Sequence, residues 1–133
     1  MKKEKKKILV VDDDAGMVKV LEKWLHVAGR EVIGALSGET GLERAEKEVP
    51  DLILLDLMLP GIGGVEVARR LKANSVTKDI PVIFITMCIG VENDKGDEKI
   101  EVDGQIYRAF AKPLHNKKLL SEIRKTINRR ENS

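Results

Sequence analysis

The chain's 133 residues carry 24 Lys and Arg against 22 Asp and Glu, a balance of +2, and 42% are hydrophobic. That is one domain of ordinary size, burying roughly two-thirds of its unfolded surface without needing staples. Near-neutrality argues against a dedicated nucleic-acid surface, the single Cys88 excludes an internal disulfide and fits a reducing cytoplasm, and no apolar run approaches the ~20 residues that span a bilayer.

The opening MKKEKKK has five lysines but is followed by only four apolar residues before Asp12, so it lacks the apolar region of a signal peptide. Residues 1–6 are read as a basic, solvated leader. Strand 8–12 comes next, a short aliphatic run of the kind that builds a buried parallel strand. Over 14–28, Met17, Val18, Leu21, Trp24, Leu25 and Ala28 recur at helical spacing. Asp14 suits the N-cap, Gly29 the stop, and Trp24 reads as packing on the helix face. A second strand is expected from Glu31 to Leu36, and Ser37 caps a helix of about ten residues. The third strand, 51–56, follows Pro50. Gly63 and Gly64 lead into a helix through Lys72, with Val65, Val67, Ala68 and Leu71 on its buried face, and Pro81 opens a fourth strand, 82–86.

From Cys88 to Gln105 helical periodicity is weak, and Gly90, Asn93, Gly96 and Gly104 interrupt it. With few apolar anchors and many charges, this segment is expected to be the least ordered of the domain. Ile106 to Ala111 reads as the fifth strand. Leu114, Leu119, Leu120, Ile123 and Ile127 define a last helix, with basic residues in its final turn. His26 and His115 read as surface residues. The alternation of strands and helices predicts an α/β fold: a single doubly wound, five-stranded parallel sheet with helices on both faces. Domain 1–133 has its core over about 6–129, and 130–133 is a tail or the start of a linker; a stand-alone protein and a piece of a longer chain are equally compatible with it.

The chemistry lies at the strand ends. Asp12 and Asp13 follow ILVV, Asp56 follows LILL, Thr86 follows VIFI, and Lys112 follows IYRAFA. Open α/β sheets bind ligands outside the carboxyl ends of their strands. Three carboxylates, a hydroxyl and an ammonium gathered there make a site for a divalent cation and a phosphoryl group. Converging carboxylates raise one another's pKa, and Mg²⁺, a hard ion that accepts oxygen ligands, resolves the repulsion.

ILVVDDD (8–14), DLILLDLMLPGIGG (51–64), VIFIT (82–86) and Lys112-Pro113, in this order and spacing, resemble a response-regulator receiver domain of the CheY-like, two-component type. The resemblance covers roughly 6–129 and implies the flavodoxin-like strand order 2-1-3-4-5. It implies a phosphorylation-dependent signalling switch, not an enzyme beyond its own phosphorylation and dephosphorylation. Asp56 would be the phosphoacceptor, a carboxylate nucleophile, with Thr86 and Lys112 on the phosphoryl oxygens. Asp13 and Asp56 would ligate Mg²⁺ directly, Asp12 through water, and the Met58 backbone carbonyl would complete the protein's share. Lys112-Pro113 would be a cis peptide. A histidine kinase or histidine phosphotransferase would donate the phosphoryl group, and an output protein or fused output domain would read the result. No nucleic acid or membrane contact is expected of the domain itself, and its location is cytoplasmic.

The chain departs from the family pattern in three places. Ala109 stands where an aromatic is common, and Phe110, one place later, points to the other face, so the usual aromatic switch is either absent or rebuilt with Tyr107. Met87 follows Thr86 where a small residue is usual. The stretch from Thr86 to Lys112 is about four residues longer than expected, and its helix is poorly encoded. Three other readings compete. A haloacid-dehalogenase-type phosphatase would use Asp12 and Asp14, but Gly16 breaks its motif and Asp56 has no role. A flavodoxin would need phosphate-binding N–H groups where this chain has DDD. A receiver-like docking module would leave phosphorylation vestigial.

Overall fold

The computed structural model describes residues 5–86 and 98–132. In chain order these form β1 (Lys7–Val11), α1 (Ala15–Val27), β2 (Glu31–Ala35), α2 (Gly38–Glu48), β3 (Leu52–Asp56), α3 (Gly64–Ala73), β4 (Val82–Thr86), β5 (Glu98–Val102), β6 (Gln105–Ala111) and α4 (Asn116–Glu131). The sheet order is β2-β1-β3-β4-β6-β5. Its first five members are parallel, in the order the resemblance implies, with β6 as the fifth parallel strand.

Two aliphatic layers sandwich the sheet, and the period of two along each strand divides them. Ile8, Val10, Leu52, Leu54, Ile83, Ile85 and Phe110 face α1 and α4, meeting Leu21, Leu25, Leu119 and Ile123. Leu9, Val11, Ile53, Leu55, Phe84 and Ala109 face the other way, onto Ala45, Val67, Ala68 and Leu71 of α2 and α3. Phe110 and Ala109 thus point to opposite faces, as alternation predicts. Trp24 is half-buried against the first layer.

Local signals place the helices. The Asp14 carboxylate accepts the Gly16 and Met17 N–H groups at the start of α1, and Ser37 Oγ accepts from Thr40 N at the start of α2. Each cap satisfies donors that a helix N-terminus otherwise leaves unpaired. Gly29 follows the C-cap of α1.

The sheet has six strands where the sequence predicts five. β5 runs antiparallel to β6, and among the described residues no helix stands between β4 and β6. Asp103 and Gly104 join the two strands with φ of 50° and 83°. Positive φ at both central residues makes the two-residue turn whose twist suits a hairpin, and Asp-Gly is its preferred sequence. Within the Cys88–Gln105 segment, expected to be the least ordered of the domain, residues 98–105 belong to this hairpin, while 88–97 lie outside the described residues, as does Met87. Apolar burial holds the hairpin: Val102 is buried and Ile100 half-buried on the α3 side of the core. The Arg69 guanidinium also donates to Asp103 at 2.8 Å, tying α3 to the turn.

Candidate functional site

The carboxyl ends of β1, β3, β4 and β6 converge because these strands are neighbours in one parallel ladder. Leu55 pairs with Val11, Asp56 with Ile85, and Thr86 with Ala111. The ladder continues one step past the strands, with Leu57 N donating to Ile85 O at 3.1 Å and Lys112 N to Thr86 O at 2.9 Å. Asp56, Thr86 and Lys112 are thereby fixed by backbone pairing.

Carboxylate oxygens of Asp12, Asp13 and Asp56 lie within 4.8 Å of one another. Asp12 is fully buried, Asp56 is 4% exposed, and Asp13 is open to solvent. Asp12 Oδ1 accepts the Asp14 N–H at 2.9 Å, and Asp56 Oδ1 accepts the Met58 N–H at 3.1 Å. The Lys112 ammonium closes the group, 2.7 Å from Asp12 Oδ2 and 3.2 Å from Asp56 Oδ2. No other donor among the described residues reaches Asp12 Oδ2. Thr86 is fully buried at the end of β4. The Met58 side chain is 59% exposed. The Lys112-Pro113 peptide is cis.

Burial pushes the Asp56 carboxyl up to about 6; the Met58 N–H opposes this, the Asp12 charge adds to it, and Lys112 opposes it. The Lys112 ammonium is itself shifted upward: burial acts against its charge, but the Asp12 and Asp56 carboxylates outweigh that. One ammonium shared between buried carboxylates leaves a site that favours added positive charge.

Two features of the site were not legible in the sequence. The Lys112–Asp12 ion pair depends on side-chain directions that no motif encodes. The second is the role of Gly64. A Cβ there would stand 2.3 Å from Asp56 O and 2.7 Å from Leu57 Cα, so only glycine lets α3 begin directly against the backbone of Asp56. The double glycine after LMLP was the available signal, read only as a lead into the helix.

The geometry also separates the competing readings. Asp14, the second member of the D-x-D spacing, is used as the α1 cap and is not one of the clustered carboxylates, whereas Asp56 is. His26 and His115 are exposed.

A doubly wound sheet with an acidic trio, a hydroxyl and an ammonium at its carboxyl edge defines a receiver-type signalling domain. The family model for the response regulator receiver domain matches residues 8–124, and the chain belongs to that family. It is a family of two-component signalling domains, whose partners are histidine kinases and output domains. Among characterised relatives, the response regulator PleD of Caulobacter vibrioides is 37% identical over 118 residues, 89% of this chain and 25% of PleD. The chain spans between a quarter and about half the length of such relatives. Among solved structures, a response regulator from Chloroflexus aurantiacus J-10-fl superposes with a TM-score of 0.77 at 28% identity, covering 94% of this chain and 99% of that one. The signal receiver domain of a modulated diguanylate cyclase from Desulfovibrio desulfuricans G20, described as an example of alternate folding, gives 0.73 at 29% identity, covering 96% and 98%. Among the described residues, no helix is long and apolar enough to cross a membrane.

Proposed function

We propose that this domain, with its core over about residues 6–129, is a phosphorylation-dependent switch in which Asp56 accepts a phosphoryl group. The observation that carries the reading is the Asp56 carboxylate at the end of β3, close to two further carboxylates and within 3.2 Å of an ammonium. An Asp56 carboxylate oxygen attacks phosphorus, and the bond from phosphorus to the donor's leaving group breaks. With a phosphohistidine donor, the imidazole leaves and takes a proton from solvent. Such transfer is governed by positioning and charge neutralisation. Lys112 neutralises one side of the phosphoryl group as a point charge, and the Thr86 hydroxyl donates a hydrogen bond to another oxygen. Backbone pairing on both sides of β4 holds Thr86 and Lys112 in place.

The donor set fits Mg²⁺. It is all oxygen, it includes a buried carboxylate oxygen that among the described residues is contacted only by an ammonium, and its members are close enough to share one ion. Asp13 and Asp56 would bind the ion directly, Asp12 through water, and the Met58 carbonyl would add a further ligand. Bound there, the ion supplies charge neutralisation to the phosphoryl oxygens.

A histidine kinase or histidine phosphotransferase is the donor this reading implies, and the cytoplasm its setting. Intact-mass measurement after acetyl phosphate and Mg²⁺ tests it. Wild type should gain one phosphoryl group and Asp56→Asn none. An unchanged adduct on Asp56→Asn would exclude Asp56 as acceptor, and a wild type that is never labelled would favour a docking module.

A further inference from the structure

We propose that the outer edge of β5 is a self-association surface, on which a second copy of this chain pairs its own β5 antiparallel to form one continuous sheet across the two copies. The proposal rests on the hairpin and its sequence, not on the phosphorylation reading.

β5 is the last strand of the sheet, and among the described residues no strand pairs with its outer side. The register of the hairpin decides which backbone groups point there. Val102 pairs with Gln105 across the two-residue turn, followed by Ile100 with Tyr107 and Glu98 with Ala109. The pair flanking such a turn is hydrogen-bonded, and bonded pairs alternate with non-bonded ones. The N–H and C=O groups of Glu98, Ile100 and Val102 are thereby used by β6. Those of Lys99 and Glu101 point outward.

In an antiparallel pairing of β5 with itself centred on Ile100, Lys99 stands opposite Glu101 of the second copy, and Glu101 opposite its Lys99. These two residues carry the outward backbone groups, so the same register that matches the charges also forms two bonded pairs. Lys99 and Glu101 are both exposed on one face of the hairpin, and opposite charges directly across a ladder are stabilising. On the other face, Ile100 would meet its own counterpart and extend the apolar layer it already joins with Tyr107 and Val102. A two-fold axis perpendicular to the sheet, passing midway between the two Ile100 residues, relates the copies, as a closed dimer requires. Charged residues on an edge strand commonly serve to prevent pairing. Here the order Lys99-Ile100-Glu101 is complementary to itself in one register.

A five-residue ladder is a small contact, and weak association is expected of it. Sedimentation of the full chain over a concentration series should show a monomer–dimer equilibrium. Glu101→Lys and Lys99→Glu each replace both attractive pairs by repulsive ones and should weaken dimerisation by about tenfold or more. Mixing the two variants restores Lys opposite Glu at both positions and should recover the wild-type affinity as a heterodimer. The double variant K99E/E101K, complementary to itself again, should dimerise alone and controls for folding. A wild type that stays monomeric at its solubility limit overturns the proposal, and so does a dimer indifferent to both single variants or a mixture that fails to recover affinity.

Discussion

The rings of Phe84 and Tyr107 meet edge to face, with centroids 5.3 Å apart and planes at 83°. Phe84 stands opposite Ala109 in the β4–β6 ladder, and Tyr107, two residues earlier on the same face, reaches the ring that Ala109 leaves room for. The small residue at 109 and the aromatic at 107 are one packing solution. Ala109→Phe should force a third ring, beside those of Phe84 and Tyr107, into a fully buried position and destabilise by about 1–3 kcal/mol. Tyr107→Ala should cost about 2 kcal/mol through lost area and the lost ring contact. Chemical denaturation checks both; an Ala109→Phe protein as stable as wild type would mean that the layer is not closely packed there.

Metal-free stability should fall with rising pH because of Asp56. Its folded value of about 6 lies above the ordinary 3.8, so the folded state binds the proton more tightly than the unfolded chain does. The resulting stabilisation is present below about pH 4 and is lost as pH rises through about 6. Asp56→Asn lacks this dependence. In EDTA, the variant should gain on wild type across that window by roughly 1–3 kcal/mol. Parallel stability curves for the two proteins would contradict it.

Mg²⁺ should stabilise the wild type by binding the native state, by about 1.4 kcal/mol at ten times its dissociation constant. Asp13→Ala should lose most of the effect. Asp12→Ala should lose less metal response, yet should also alter the metal-free protein, because it removes the shorter contact of Lys112. Thermal melts with and without millimolar Mg²⁺ measure this, and a wild-type melting temperature unmoved by the ion would refute the metal site.

Amide exchange along β5 should alternate. In dilute, monomeric protein the N–H groups of Ile100 and Val102, bonded to β6, should be protected, and those of Lys99 and Glu101 should exchange freely. Gly104→Ala places a side chain at φ 83° and should destabilise the hairpin by about 1 kcal/mol. Uniformly fast exchange from 98 to 107 would remove the hairpin.

β1, β3 and β4 were legible because each buries both faces and reads as a short apolar run; β2 and β6 are less buried and less uniform, and were placed by the alternation of strand-like and helix-like segments. The helices were legible from spacing, and their starts from Asp14 and Ser37. Strand-end residues then placed Asp12, Asp56, Thr86 and Lys112 at one edge. The sixth strand was missed for a physical reason. As an edge strand it shows only Ile100 and Val102 to the core, and its charges resemble a loop's. The signal that would have found it was Asp103-Gly104 between alternating segments, and Gly104 was read there as an interruption. The Lys112–Asp12 pairing had no signal at all, since ladder position fixes where a residue sits but not which neighbour its side chain takes.

Because β5 joins the sheet, β6 is bonded along both flanks. Ala109 faces Phe84 on one side and Glu98 on the other. Lys112 follows directly at its end, its N–H held by Thr86. In a five-stranded sheet that lysine would leave the outermost strand, free to shift alone. Here Lys112 and the Asp103-Gly104 turn lie at opposite ends of one strand paired on both sides, and Arg69 links that turn to α3, which starts against Asp56. Backbone pairing and one ion pair thus form a continuous path from the ammonium among the carboxylates to the hairpin tip and back to the strand that ends in Asp56.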